Sequence, residues 1–364
     1  MRLKYLIFFL FINLQGKFSS AQFIPESITV AASEQYKSSS VLKNIFFGNN
    51  YRKEWETPVT MPVFELQKTD FKIVEMGGGQ QTTSLELVDK DNREWALRSV
   101  DKKVKAPMKF MRNTFIERII QDHVSAAYPY AGLSVPDISR AAGVATGQQQ
   151  LVYVPDDTAF GQYRSAMANK VFILVNNQSQ AEKGITTTEM MERLRPGGQN
   201  FVDQKAYLKA RLVDWLVADW DRHKDQWRWI EKKTASGISF HVIPRDRDQA
   251  FFNSNGLLVK FISLFFMPQL IGFKKSSAGI KRLCKKSRYM DVKFTNQLQK
   301  KDWEMIIGEF QNNITDSVIE AAIKKQPVEI FAIRGKEMIE KLKSRRDGLL
   351  KHGMKYYSFL QRMA

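Results

Sequence analysis

Two Asp-rich stretches hold the residue types that do chemistry in this chain. The first runs Asp219-Trp220-Asp221-Arg222-His223-Lys224-Asp225-Gln226-Trp227. The second runs Pro244-Arg245-Asp246-Arg247-Asp248-Gln249-Ala250-Phe251. Asp221 can accept a proton, and Gln226, five positions on, offers a side-chain carbonyl oxygen. The second stretch adds the carboxylates of Asp246 and Asp248. Hard oxygen donors of this kind suit Mg²⁺ that bridges phosphate groups. Asp and Arg clusters also form plain salt-bridge networks, so that reading stands beside the metal site.

The elements that must position these residues lie on either side. Leu208, Leu212, Trp215 and Leu216 recur at helical spacing, so a helix leads into the first stretch. Residues 227–230 and 238–243 read as strands about a turn at Ala235-Ser236-Gly237. One Asp-rich loop therefore enters a hairpin and the other leaves it, and both can reach a single ion.

Upstream, Gly77-Gly78-Gly79-Gln80-Gln81-Thr82-Thr83-Ser84 separates a strand at 71–74 from one at 85–88. Glycines let backbone N–H groups approach phosphate oxygens with no Cβ in the way. A strand follows where a Walker A loop or a Rossmann fingerprint needs a helix, and neither motif is present. The turn Asp89-Lys90-Asp91-Asn92 leads to a third strand at 94–100, which carries Arg98; Lys102 and Lys103 follow it. Residues 114–127 carry an apolar stripe at helical spacing, with Asn113 or Thr114 as N-cap and Glu117 and Gln121 on one face. Residues 151–154 read as a further strand.

The order Asp-x4-amide, hairpin, Asp resembles the catalytic-loop and metal-Asp order of the protein-kinase-like superfamily, in its atypical branch. The Asp221-Arg222-His223 element resembles the catalytic loop of HipA-type and secretory-pathway kinases. The Pro244-x-Asp246-x-Asp248 element resembles the metal motif of CotH-type spore-coat kinases. The whole is similar to a kinase-like module of bacterial envelope proteins that accompanies phosphoesterase or outer-membrane-barrel domains. This resemblance implies an α+β, two-lobed protein-kinase-like fold. A small antiparallel-sheet N-lobe would span 67–157 and a helical C-lobe 158–364. It further implies ATP and Mg²⁺ as cofactors. Gly77, Gly78, Gly79, Gln80, Thr82, Ser84 and Arg98 would meet the phosphates, and Glu117 would pair with Arg98. Asp221 would be the base or hydroxyl-orienting residue, with His223 positioning its loop. Asp248, Gln226 and Asp246 would hold Mg²⁺. Trp95-Ala96-Leu97-Arg98 stands where kinases carry Val-Ala-Ile-Lys, so Arg98 replaces a lysine. The two are not interchangeable, and Lys102 and Lys103 are the alternatives. The strand at 151–154 would lead to the hinge, and residues 160–164 would open the second lobe.

Length and charge agree with two lobes and an anionic ligand. The chain has 364 residues and a formal charge of 56 − 38 = +18. Such a surplus favours phosphorylated ligands, nucleic acid or anionic lipid without choosing between them. The kinase resemblance makes nucleotide the expected ligand and disfavours nucleic acid. An envelope protein or an anionic membrane surface are the other expected partners. Residues 1–21 read as a cleaved secretory signal: Arg2 and Lys4, an apolar run at 6–14, then Ser19-Ser20-Ala21. A periplasmic location follows as an expectation. Residues 22–66 read as an arm or linker. Cys284 is the single cysteine, so no intrachain disulfide forms.

Residues 257–273 are strongly apolar but marginal for a membrane span. They read as a buried helix of the second lobe. A membrane-apposed surface is the other reading, aided by Lys274-Lys275 and the cations at 281–288. Helices are expected at 301–312, 316–325, 336–351 and 356–363. The four histidines lack zinc spacing, and no GxSxG occurs. Asp246-Arg247-Asp248 also resembles the Asp-x-Asp of a haloacid-dehalogenase phosphatase or a glycosyltransferase. Ala250 stands where the phosphatase pattern wants Thr or Val. Three function classes remain: Mg-ATP-dependent phosphotransfer in the cell envelope, a catalytically inactive kinase-like scaffold, and a basic membrane-surface binding protein.

Overall fold

The structure is a computed structural model that describes residues 26–37, 40–77, 82–104, 109, 112–176, 184–194, 198–265, 267–270 and 272–363. The expected signal at 1–21 and Gly78, Gly79 and Gln80 of the glycine loop lie outside the described residues.

The chain is α+β, with an antiparallel-sheet N-terminal part and a helical C-terminal part. Strands β1 (Ser27–Ala31) and β2 (Pro58–Pro62) pair as an antiparallel ribbon. The main sheet contains β3 (Lys72–Gly77), β4 (Ser84–Val88), β5 (Glu94–Ser99), β6 (Gln148–Val154) and β7 (Lys170–Asn176). Its order is β3-β4-β5-β7-β6, antiparallel throughout. The β4–β5 turn closes on Asp89, whose carboxylate accepts from the N–H groups of Asp91 and Arg93.

Strand β7 moves the expected lobe boundary. A strand buried on both faces is continuously apolar, without the alternation that marks a half-buried one. Phe172 and Leu174 pack with Leu85, Leu87, Leu97 and Val154 on one face, and Val171, Ile173 and Val175 face the larger core on the other. The sheet therefore runs to Asn176, and a division at 157 falls between two neighbouring strands. The segment expected as an arm or linker packs on the rest of the fold. Tyr36, Tyr51, Trp55, Val59 and Met61 are buried there. Trp55 Nε1 donates to Ala127 O at 3.0 Å, and the Tyr51 hydroxyl donates to Phe251 O at 2.6 Å.

Helix Phe115–Asp122 starts where expected, with the Thr114 hydroxyl accepting from Ile116 N. Helix Ala131–Ala141 was not expected, and it carries Pro136 inside. Helix Gln204–Val217 starts at Asp203, whose carboxylate accepts from Ala206 N, and buries nearly its whole length. It ends on Ala218 at φ 56°, and Arg345 donates to its last carbonyls, Trp215 O and Leu216 O.

A second sheet carries the hairpin. With β8 (Ile185–Thr186), β9 (Phe201–Val202), β10 (Trp227–Thr234) and β11 (Gly237–Pro244), its order is β8-β10-β11-β9. The β10–β11 register runs from Trp227↔Pro244 to Thr234↔Gly237, leaving Ala235-Ser236 as the turn. Gly237 stands at φ 129°, a conformation that side chains resist.

The C-terminal helices are Lys300–Asn313, Asp316–Ile323 and Lys336–Leu360. The last is one helix where two were expected; Gly353 lies inside it because a Cβ there would meet Ile307 Cδ1 at 2.8 Å. The apolar stretch after the second Asp-rich loop forms a helix of nine residues, Leu257–Phe265. It is not the fully buried helix expected: Leu257 and Phe261 are more than half exposed. Among the described residues, no helix is long and apolar enough to cross a membrane.

Candidate functional site

A cleft of about 710 Å³ lies between the main sheet and the Asp-rich loops. Thr82, Ser84, Arg98 and Lys102 line it from the sheet side. Asp221, His223, Gln226, Asp246 and Asp248 line it from the loops. Gly77 stands opposite Ser84 at the end of the β3–β4 ladder. Residues far apart in the chain thus converge, because β10 and β11 pair at Trp227↔Pro244 and bring both loops to one end of the hairpin.

A buried ion network behind the loops decides which side chains face the cleft. Asp214 sits at its centre. Its carboxylate accepts from Arg222 Nε at 3.0 Å, Arg247 Nε at 2.9 Å and Arg211 Nη1 at 2.6 Å. Arg211 continues to Asp291, which also accepts from the Tyr207 and Tyr356 hydroxyls. Asp219 accepts from Arg222 Nη2 at 2.9 Å and from Asp221 N at 3.0 Å, which fixes the turn before Asp221. Burial pushes the Asp219 carboxyl up to about 6 against the pull of Arg222. Arg222 and Arg247 therefore point back into the protein, and Asp221, Asp246 and Asp248 line the cleft. Arg222 also donates to Arg245 O, and Arg245 N donates to Gln226 O at 2.9 Å, so the two loops are stitched together. Asp214, Arg211 and Asp291 escaped the reading of the sequence. The available signal was Asp214, an acid among apolar residues of a helix, with Arg211 one turn before it.

Asp221, Asp246 and Asp248 each face a cation. Lys102 pairs with Asp248, and Lys286 pairs with Asp221. Arg98 Nη1 lies 3.5 Å from Asp246 Oδ2. Burial raises Asp248, but the Lys102 ammonium outweighs it and holds that carboxyl below its ordinary value. Burial and the neighbouring Asp248 charge hold Asp246 above its own. Asp246 also adopts φ 41°, a left-handed conformation at the turn between the two carboxylates.

The expected Arg98–Glu117 ion pair does not form, and Glu117 does not line the cleft. Glu117 Oε2 accepts from Asn113 N at 2.7 Å, in the first turn of its own helix. Unpaired N–H groups and the positive helix end draw a carboxylate there. Gln121, one turn on, makes the link to the sheet. Its Nε2 donates to Lys102 O at 2.6 Å, and its Oε1 accepts from Val104 N at 2.9 Å. The helix thus holds the backbone of the segment that aims Lys102 at Asp248.

His223 stands at the rim, with Nδ1 3.4 Å from Asp225 Oδ2 and Nε2 3.5 Å from Gln226 Nε2. Cys284 is buried against Arg211, and burial pushes its thiol up to about 12, which removes it as a nucleophile. No group of three or more His, Cys, Asp or Glu suited to a metal occurs among the described residues. Asp246 and Asp248 with the Gln226 amide are hard-oxygen donors in the cleft lining. The Asp246 and Asp248 charges repel one another, which adds to burial in raising Asp246. That set fits Mg²⁺, which takes one or two carboxylates and fills its remaining positions with water and phosphate.

No protein-family model and no curated protein sequence matches the chain. Among solved structures, it is similar to the proinflammatory kinase CtkA of Helicobacter pylori, at 12% identity and a TM-score of 0.45. That match covers 81% of this chain and 99% of the other. It is also similar to the Rio2 kinase from Chaetomium thermophilum in its ADP/Mg²⁺-phosphoaspartate complex. There the identity is 13%, the TM-score is 0.27, and the match covers 69% of this chain and 72% of the other.

Proposed function

We propose that this chain is a kinase-like protein that binds Mg-ATP in the cleft and transfers its terminal phosphoryl group to an acceptor in the cell envelope. The observation that carries this reading is the meeting of Lys102 and Asp248 across a cleft that also holds Asp221, Gln226 and Asp246. Thr82, Ser84, Arg98 and Lys102 take the phosphates. Asp248, Asp246 and the Gln226 amide hold Mg²⁺, whose charge neutralises the phosphoryl oxygens when it is bound. Asp221 takes the proton of the acceptor hydroxyl as that oxygen bonds to phosphorus and ADP leaves. His223 positions the loop. The HipA- and CotH-like motifs, and the module of envelope proteins, supply the kinship this reading assumes. The signal-like residues 1–21 supply the location outside the cytoplasm.

The test is the melting temperature of the protein with ATP, with and without Mg²⁺, followed by transfer from γ-labelled ATP to envelope fractions. Binding to the native state raises the melting temperature by mass action. A nucleotide shift that needs Mg²⁺, with label transferred, is the expected result. A second reading is a catalytically inactive scaffold. It is favoured by the cations on Asp221, Asp246 and Asp248 and by Arg98 in place of lysine. That reading predicts no transfer, and no nucleotide shift in its strict form.

A further inference from the structure

Two short helices outside the cleft lining form an apolar face. Helix Val41–Phe47 exposes Val41 at 73%, Leu42 at 68%, Ile45 at 48% and Phe46 at 50%. It packs against helix Leu257–Phe265, which exposes Leu257 at 54% and Phe261 at 56%. Gly256 lets them approach, since a Cβ there would lie 2.4 Å from Phe46 O. Single exposed apolar residues are ordinary, but six on two touching helices form a patch.

Charge says what covers it. From 257 to 290 the chain carries Lys260, Lys274, Lys275 and five cations between Lys281 and Arg288, with no Asp or Glu. Helix Val41–Phe47 carries Lys43 and no acid. Arg282 Nε donates to Pro268 O at 3.0 Å, which ties the basic stretch to the chain just beyond the second apolar helix. Lys43 is paired with Asp122 and Lys286 with Asp221, but Lys281, Arg282 and Lys285 are exposed. Apolar side chains from adjacent helices beside such cations suit a surface that is apolar within and anionic at its rim. A soluble polyanion would use the cations and leave the phenylalanines in water.

We infer that this face docks on an anionic lipid surface. Phe46 and Phe261 enter the boundary between head groups and acyl chains, and Lys281, Arg282 and Lys285 meet the lipid phosphates. Lys286 belongs to the same stretch and pairs with Asp221, so the docked face borders the mouth of the cleft. The inference does not rest on nucleotide binding.

The experiment is co-sedimentation of the full chain with phosphatidylcholine vesicles with and without phosphatidylglycerol, across a salt series. Binding should need phosphatidylglycerol and fall steeply as salt rises. The pair Phe46→Ser and Phe261→Ser should lose about tenfold in partition at every salt concentration. The pair Lys281→Glu and Lys285→Glu should lose about tenfold or more at low salt. Unchanged melting temperatures would show that both variants fold. Failure to sediment with anionic vesicles overturns the inference. So does binding that the phenylalanine variant leaves intact, above all if soluble polyglutamate competes for it. That outcome would assign the face to an acidic protein segment.

Discussion

Lys102 and Asp248 form an ion pair although they stand 146 positions apart in the chain. Lys102 follows the end of β5 and is nearly buried, at 7% side-chain exposure, whereas a third of Asp248 is open to the cleft. The pair joins the sheet to the second Asp-rich loop, and Gln121 holds the backbone that carries Lys102.

The two aspartates of the cleft should separate binding from turnover. Asp248→Asn removes a metal donor and leaves Lys102 short of its partner. It should abolish the Mg²⁺-dependent nucleotide shift and lower stability by about 1–3 kcal/mol. Asp221→Asn should keep that shift and lower phosphoryl transfer by about 10²–10⁴-fold. Melting curves with and without Mg-ATP, set beside transfer rates, check both. Equal loss of stability in both variants, in a protein whose wild type shows no nucleotide shift, would leave an ion network without phosphotransfer.

The structural centre of the loops is Asp214. Asp214→Asn removes a carboxylate charge shared by three buried guanidiniums; Arg211 and Arg222 keep Asp291 and Asp219, but Arg247 loses its acidic partner. Breaking a buried network in this way costs about 3–5 kcal/mol. Urea unfolding should show that loss for Asp214→Asn and a change under about 1 kcal/mol for Asp221→Asn, which faces the cleft mouth.

His123 should make the fold sensitive to mild acid. It packs edge-on against Phe252, and burial pulls its imidazole down to about 4 from 6.5. Its close charged neighbours, Asp122 and Arg52, pull in opposite directions. A depressed folded value means the unfolded chain binds the proton first. The His123 contribution is therefore intact above pH 6.5 and is lost as pH falls towards 4, by roughly 3 kcal/mol at most. His123→Phe should flatten stability against pH across that window. Urea midpoints at pH 7 and pH 4.5 measure it, and equal pH slopes in the variant and wild type would exclude His123 as the source.

Cys284 should resist thiol reagents while the protein is folded. Its side chain is buried and its thiol is held up to about 12. Labelling by an aromatic disulfide should be negligible in buffer and complete in urea. Fast labelling of the native protein would mean that the segment at 281–288 opens locally.

Local pattern made part of this molecule readable. The β10–β11 hairpin, its turn at Ala235-Ser236 and the Thr114 cap are where residue alternation and capping chemistry place them. Helix Ala131–Ala141 and strand β7 were not readable in that way. The first carries a proline, which helix interiors disfavour, and a fully buried strand lacks alternation, which hid the second. Glu117 illustrates the limit for the site. Its helical face was correct, but a carboxylate in the first turn has backbone N–H groups close at hand, and Gln121 makes the long-range contact.

The sequence by itself determined that two carboxylate-bearing loops flank one hairpin, because strand pairing is local and its ends must meet. It did not determine which charged residues of those loops are structural. Asp214, Asp219, Arg222 and Arg247 close on one another behind the loops, while Asp221, Asp246 and Asp248 face Lys286, Arg98 and Lys102. That division follows from burial. A charge removed from water must find its opposite, and its partner comes from whichever distant segment the fold packs beside it.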